Sequence, residues 1–434
     1  MADCADAEAT VRAFLTRFVE CSHSEAATLL TEAGREAVVD AFPEEFRRGD
    51  PEPAALLERY RRGLHSQYGA FQGIDDVAAD GNDAIARLAF AEGSETAAVG
   101  VDNGITAFAF DPAYEPPAYA DESAFDERDV TVDADDVALD GLLTVPEGEG
   151  RFPAVLLVHG AGIHDPDGTN ANAKVLKDLA WGLASEGIAS LRYEKRLAEH
   201  EVEDESYTID SVVVDDAVAA LEELAAAEGI DENTVFVAGH SQGGMCAPRI
   251  AERHGGVAGT VVLDSLADPV PDPENLVFLR YEFDREGELD AEAEMKFEEE
   301  RETVRRIATG DYDNEETLWG RPGTWHRSVA NYDPAATASD LDGPTFVVKG
   351  SRADPETQAD LLAWHREEVE NWRGVDLPDG SRVEFYPGVD HYLQRGGRPA
   401  GPMGLYFGGN VAADVVSDVA EWIDGIACSA GTNE

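Results

Sequence analysis

Residues 234–245 read TVFVAGHSQGGM. Within them Gly239-His240-Ser241-Gln242-Gly243 fits Gly-x-Ser-x-Gly, set between an apolar β-branched run and the helix-like segment GGMCAPRIAERHG. That setting suits a serine held on a strained, tight strand-to-helix turn, because bulky residues at either flank would collide. The reading makes Ser241 a nucleophile. A serine hydroxyl is weak near neutral pH, so it needs a base, and the base needs an acid to orient it.

After such a turn the acid and then the base follow in the chain. The histidines beyond Ser241 are His254, His326, His365 and His391. His254 falls on the nucleophile's own helix and His365 in the middle of a later one, so neither should reach the turn. His391, in GVDHYL just after the last strand-like run, is the expected base. The acid should end or follow a strand on the same edge. Asp354, in KGSRADPET, is the preferred acid; Asp264, which ends VVLDS, is the competitor.

An oxyanion hole needs backbone N–H groups aimed at developing negative charge, and small residues let the backbone approach. His159-Gly160-Ala161-Gly162 follows an apolar strand, so the amides of Ala161 and Gln242 are the expected donors. The Gly160-x-Gly162 spacing fails as a dinucleotide fingerprint, since Asp165 stands at its third glycine position. HDPDGTN begins like a calcium loop but lacks the distal glutamate. No metal and no organic cofactor are implied.

These groups need a scaffold. From Phe152 onward strands and helices alternate: strands at 154–160, 188–194, 234–239, 259–265, 344–350 and 382–388, with helices at 172–186 and 210–228. Alternation of this kind predicts an α/β fold with a mainly parallel sheet, helices on both faces, and a site at the carboxyl ends of the strands. The hairpin-like VTVDADDVALDGLLTVPEG precedes it. About residues 266–338 break the alternation and read as a lid insertion. Its His326 and Trp325 are expected to bind substrate, with Trp319 and Tyr332 as further pocket candidates.

Residues 6–47 and 54–70 carry helical periodicity, and residues 84–112 read as short strands with turns at Gly93 and Asn103-Gly104. The expectation is a small N-terminal α+β domain and linker over 1–117, the linker carried by DPAYEPPAYADES, and a catalytic domain over 118–434.

The chain's 434 residues include 89 Asp plus Glu against 33 Lys plus Arg, a formal net charge of −56. Such a polyanion repels nucleic acid and anionic membranes, and neither is an expected partner. The excess reads as surface adaptation of the kind salt-in halophiles show. The first residues lack a basic flank and a long apolar run, and the four cysteines are scattered without pairing motifs, so the expected location is the cytoplasm. Homo-oligomer formation stays open.

The segments GLLTVPEG, FPAVLLVHGAGIHDPDGT, KDLAWGLASEGIASLRYEKR, AGHSQGGMCAPRIA and GVDHYL give the second domain a resemblance to the α/β-hydrolase superfamily. More narrowly, they look like two-domain carboxylesterases with a cystatin-like α+β domain ahead of the catalytic one. The resemblance implies Ser241 as nucleophile, Asp354 as acid and His391 as base, acting on a short-chain acyl ester. Peptidases, thioesterases and acyltransferases use the same groups, and a binding module with a disused site is the non-enzymatic alternative. For a peptidase, Arg192 or Arg196 would hold a substrate carboxylate.

Overall fold

The computed structural model describes residues 2–47, 51–135, 137–162, 164–284 and 287–430. They form two compact units.

The smaller unit comprises residues 1–115, 170–173 and 395–409. Its helices Ala2–Val19, His23–Thr28, Glu32–Ala41 and Pro53–Tyr68 precede an antiparallel sheet of β1 (Phe71–Asp80), β2 (Asp83–Phe90), β3 (Gly93–Val101) and β4 (Ile105–Phe110), in that order. Strand β1 escaped the sequence reading because irregularities in its register interrupt strict alternation. Aromatic rings fill the core, with Phe14 edge-to-face on Phe108 at 5.0 Å and Tyr60 edge-to-face on Phe110 at 5.2 Å. Met403 and Phe407 complete that core, although they lie in sequence beyond the last catalytic strand. Segments 170–173 and 395–409, from within the span 118–434, belong to this unit.

The larger unit carries an eight-stranded sheet. Its strands are β5 (Phe125–Ala134), β6 (Val137–Pro146), β7 (Phe152–Val158), β8 (Ala189–Tyr193), β9 (Ile230–His240), β10 (Gly259–Leu263), β11 (Thr345–Ser351) and β12 (Arg382–Pro387). The spatial order is β12-β11-β10-β9-β7-β8-β6-β5. Strands β7 to β12 run parallel, and the β5–β6 hairpin joins antiparallel through β8.

Strand β7 shows why these runs are apolar throughout. Ala154, Leu156 and Val158 enter one core with helices Asp215–Ala226 and Gln242–His254, whereas Val155 and Leu157 enter the opposite core with helices Val175–Ser185 and Ala413–Ala430. A strand covered on both faces has no position left for a solvated side chain. The chain leaves β7 toward β8 on one side and returns past it to β9 on the other. The loops after β7 and β9 thus diverge at the switch point of the sheet, where a crevice forms at the strand ends.

Between β10 and β11 the insertion contributes helices Val277–Phe283, Ala291–Thr309, Gly323–Ala330 and Pro334–Ser339 and a small hairpin, Thr317–Leu318 with Arg321–Pro322.

Candidate active site

The turn after β9 is as tight as its glycines suggest. Ser241 has φ 55° and ψ −116°, a conformation L-residues avoid without surrounding constraint. A Cβ on Gly239 would lie 2.1 Å from the Gly243 carbonyl oxygen, and one on Gly243 would lie 2.4 Å from that of Val158. The Ser241 amide donates to the Leu263 carbonyl at 2.9 Å, tying the turn to β10.

His391 lies in the loop after β12. Its Nε2 is 3.0 Å from Ser241 Oγ and its Nδ1 is 2.6 Å from Asp264 Oδ2. Since an ionised carboxylate only accepts, Nδ1 carries the proton and Nε2 is left to accept from the serine hydroxyl. Buried His240, the residue before the serine, donates from Nε2 to the His391 carbonyl at 2.7 Å and thereby anchors the loop. Burial, with the nearby His391 ring, lowers the His240 pKa to about 3, so it stays neutral while doing so.

The carboxylate that meets His391 is Asp264, not the Asp354 preferred from sequence. Asp264 directly follows β10 with φ 48°, and this left-handed backbone turns its carboxylate toward His391. Burial alone would raise its pKa. The Lys349 ammonium at 3.1 Å, the bond to His391 and the Gly350 amide at 3.1 Å outweigh that effect and hold it well below the usual carboxylate range. Asp354, the preferred acid, does not meet His391. Its Oδ1 accepts from the amides of Glu356 and Thr357, both at 2.9 Å, so it caps the turn at the end of the loop after β11.

A second buried cation organises the other side of the crevice. Lys195, just beyond β8 and 1% exposed, donates from Nζ to the Gly160 carbonyl and to Gln242 Oε1, both at 2.8 Å. One amine therefore clamps the loop holding Ala161 to the helix start holding Gln242. His164 Nε2 donates to the Ala161 carbonyl at 2.7 Å and fixes the next peptide of the loop. The Gln242 amide belongs to the first turn of its helix, where N–H groups lack intrahelical acceptors. Burial, with the charge of Arg321 nearby, lowers the Lys195 pKa to about 7. The sequence carries a signal for both buried cations: the chain has only five lysines, and Lys195 and Lys349 both sit at strand ends.

Trp325 and His326 lie on the insertion helix Gly323–Ala330 and are buried. His326 Nε2 donates to the Leu318 carbonyl at 2.8 Å, and Trp325 packs edge-to-face on Tyr207 at 5.7 Å. A cavity of about 920 Å³ opens beside Gly162, and neither residue lines it. Arg192 is paired with Glu127 at 2.8 Å and Asp167 at 3.1 Å, and Arg196 is paired with Asp216, so both have structural partners.

Residues 155–400 match the Alpha/beta hydrolase family. Esterase EstD of Thermotoga maritima is 30% identical over 312 residues, covering 71% of this chain and 70% of the relative. The chain belongs to the alpha/beta hydrolase family. This alpha/beta hydrolase, a hydrolytic enzyme, is also similar to solved structures at lower identity. An esterase of Pyrobaculum calidifontis is 19% identical with a TM-score of 0.43, over 70% of this chain and 86% of that one. Est1E from Butyrivibrio proteoclasticus is 15% identical with a TM-score of 0.41, over 69% and 99%. Among the described residues of this alpha/beta hydrolase, no helix is long and apolar enough to cross a membrane.

Proposed function

We propose that this hydrolase is a serine carboxylesterase for short-chain acyl esters, with Ser241 as nucleophile, His391 as base and Asp264 as acid. The observation that carries the reading is the continuous hydrogen-bond chain Ser241–His391–Asp264 at the carboxyl ends of three strands. The esterase name of the Thermotoga maritima relative agrees with it. The Ser241 Oγ attacks the ester carbonyl while His391 Nε2 takes its proton. Asp264, kept ionised by Lys349, stabilises the imidazolium. The amides of Ala161 and Gln242 receive the negative charge on the carbonyl oxygen. Collapse breaks the ester C–O bond and His391 returns the proton to the departing alcohol. Water then attacks the acyl-enzyme by the same route, releasing the carboxylic acid and restoring Ser241.

Short acyl groups suit the cavity beside Gly162, whose lining is largely charged and polar. The test is hydrolysis of p-nitrophenyl esters of increasing chain length in roughly 2 to 4 M KCl, where screening relieves carboxylate repulsion. Activity should fall with chain length, and Ser241→Ala should lose about 10⁶-fold in kcat. A Ser241→Ala protein with undiminished activity sinks the assignment.

A further inference from the structure

Arginines are outnumbered by carboxylates in this chain, and those around the site are correspondingly paired. Arg192, Arg196 and Arg249 each contact an aspartate, and Arg306 contacts Glu316 at 2.7 Å. Arg321 differs. No described residue forms an ion pair or side-chain hydrogen bond with it, and no carboxylate is among the charged groups acting on it. Its guanidinium carbon lies 4.4 Å from the centre of the Trp325 ring.

The position is built, not incidental. Arg321 begins the second strand of the insertion hairpin, paired with Leu318 across a turn in which Trp319 (φ 47°) and Gly320 (φ 69°) are both left-handed. Two-residue turns of that kind fix the register of the strands they join. Trp325 is 4% exposed, so the surface under the guanidinium is a packed ring face. Burial works against the charge, and the Arg321 pKa is lowered. A guanidinium kept charged in a half-buried site gains most from an oxyanion that binds it through two parallel N–H groups.

Arg321 lines the 920 Å³ cavity together with Gly162, which adjoins the expected oxyanion donor Ala161. Five carboxylates line the same cavity, including Glu203 and Glu315, yet all are exposed and none is turned onto Arg321. Its charge also bears on Lys195 and Cys246, placing it near the crevice that Lys195 clamps.

We infer that the cavity is a substrate subsite in which Arg321 binds a carboxylate carried by the ester, so that the preferred substrates are short esters bearing a free carboxylate, such as half-esters of dicarboxylic acids. This rests on the esterase reading given above and narrows its substrate class. The exposed acids set the rim, and concentrated salt screens their repulsion of an anion over a few ångströms while leaving a direct bidentate contact in place.

The experiment compares kcat/KM for p-nitrophenyl hemiglutarate with p-nitrophenyl butyrate, and for 4-acetoxybenzoate with phenyl acetate, at one fixed salt concentration. Acetylcholine serves as the cationic counterpart. In the wild type at least one carboxylated ester should exceed its neutral partner by about 10-fold or more, and Arg321→Gln should reduce that ratio by about 10- to 100-fold, the effect expected for a lost charge-assisted pair. Arg321→Lys, which keeps the charge but not the fork, should fall between them and serves if the glutamine protein does not fold. Equal rates for charged and neutral esters, a preference that survives both substitutions, or a preference for acetylcholine overturns the inference. Fluorophosphonate labelling of Ser241 in the same samples separates the two levels. A folded wild type that fails to label removes the esterase reading itself, whereas labelling without carboxylate preference removes only the subsite.

Discussion

Two adjacent parallel strands end in an aspartate of opposite fate. After β10, Asp264 follows the last strand residue directly, adopts a left-handed backbone and points its carboxylate at His391. After β11, Asp354 stands further along a loop whose first residues are buried, and its carboxylate is consumed by the amides of Glu356 and Thr357. Both are aspartates at strand ends on one edge of one sheet, and composition does not separate them. What separates them is reach: a short side chain acts where the backbone leaves it, so one or two residues of loop decide between a site and a turn.

The comparison is most exposed to Asp264→Asn. If Asp264 orients His391, kcat should fall by about 10⁴-fold with the fold intact, as for other triads that lose this tautomer control. A loss below about 10-fold would hand the role back to another carboxylate. Next comes Lys195→Met, which unclamps the loop after β7 from the helix start. Loss of correctly placed oxyanion donors typically costs about 100-fold in kcat, and the same loss is expected here with a smaller change in KM.

Lys195 also sharpens the picture through pH. An unfolded lysine keeps its proton to about pH 10.4, whereas folded Lys195 releases it near 7. Between those values the unfolded chain binds more protons, so this contribution to stability rises with pH, by up to about 1.4 kcal/mol per pH unit. The melting temperature of wild type minus that of Lys195→Met should therefore climb from about pH 7 to 10; a flat or falling difference means that Lys195 titrates normally. The smallest effect belongs to Asp354→Ala. It should leave kcat/KM within about 3-fold and cost about 1 kcal/mol in denaturant unfolding, the scale of a lost backbone cap.

Much of the candidate site's geometry was legible because its constraints are local. Ser241 and its glycines form one contiguous motif whose steric need is visible in the sequence. His391 was reached by asking which histidine follows the last strand. The choice between Asp264 and Asp354 was not legible, since it depends on a backbone angle and a loop path. Lys195 and Arg321 escaped because each matters through distant partners: one through a backbone carbonyl on a loop and a glutamine side chain at a helix start, the other through the lack of a carboxylate. In the fold, central parallel strands such as β7 announced themselves as apolar runs, whereas β1, half-exposed and irregular in register, carries no such run.

The composition of the smaller unit sets an order of events during synthesis. Its helices and sheet are complete by residue 115, but the core around Tyr60 and Phe110 closes only with Met403 and Phe407. At translation speeds of about 5 to 20 residues per second, roughly tens of seconds separate the two. For that interval the first-made part of the protein waits with an apolar face open, and a late-made segment delivers its cover. A chain cut after residue 115 therefore loses its own seal, and the small unit is finished only when the enzyme nearly is.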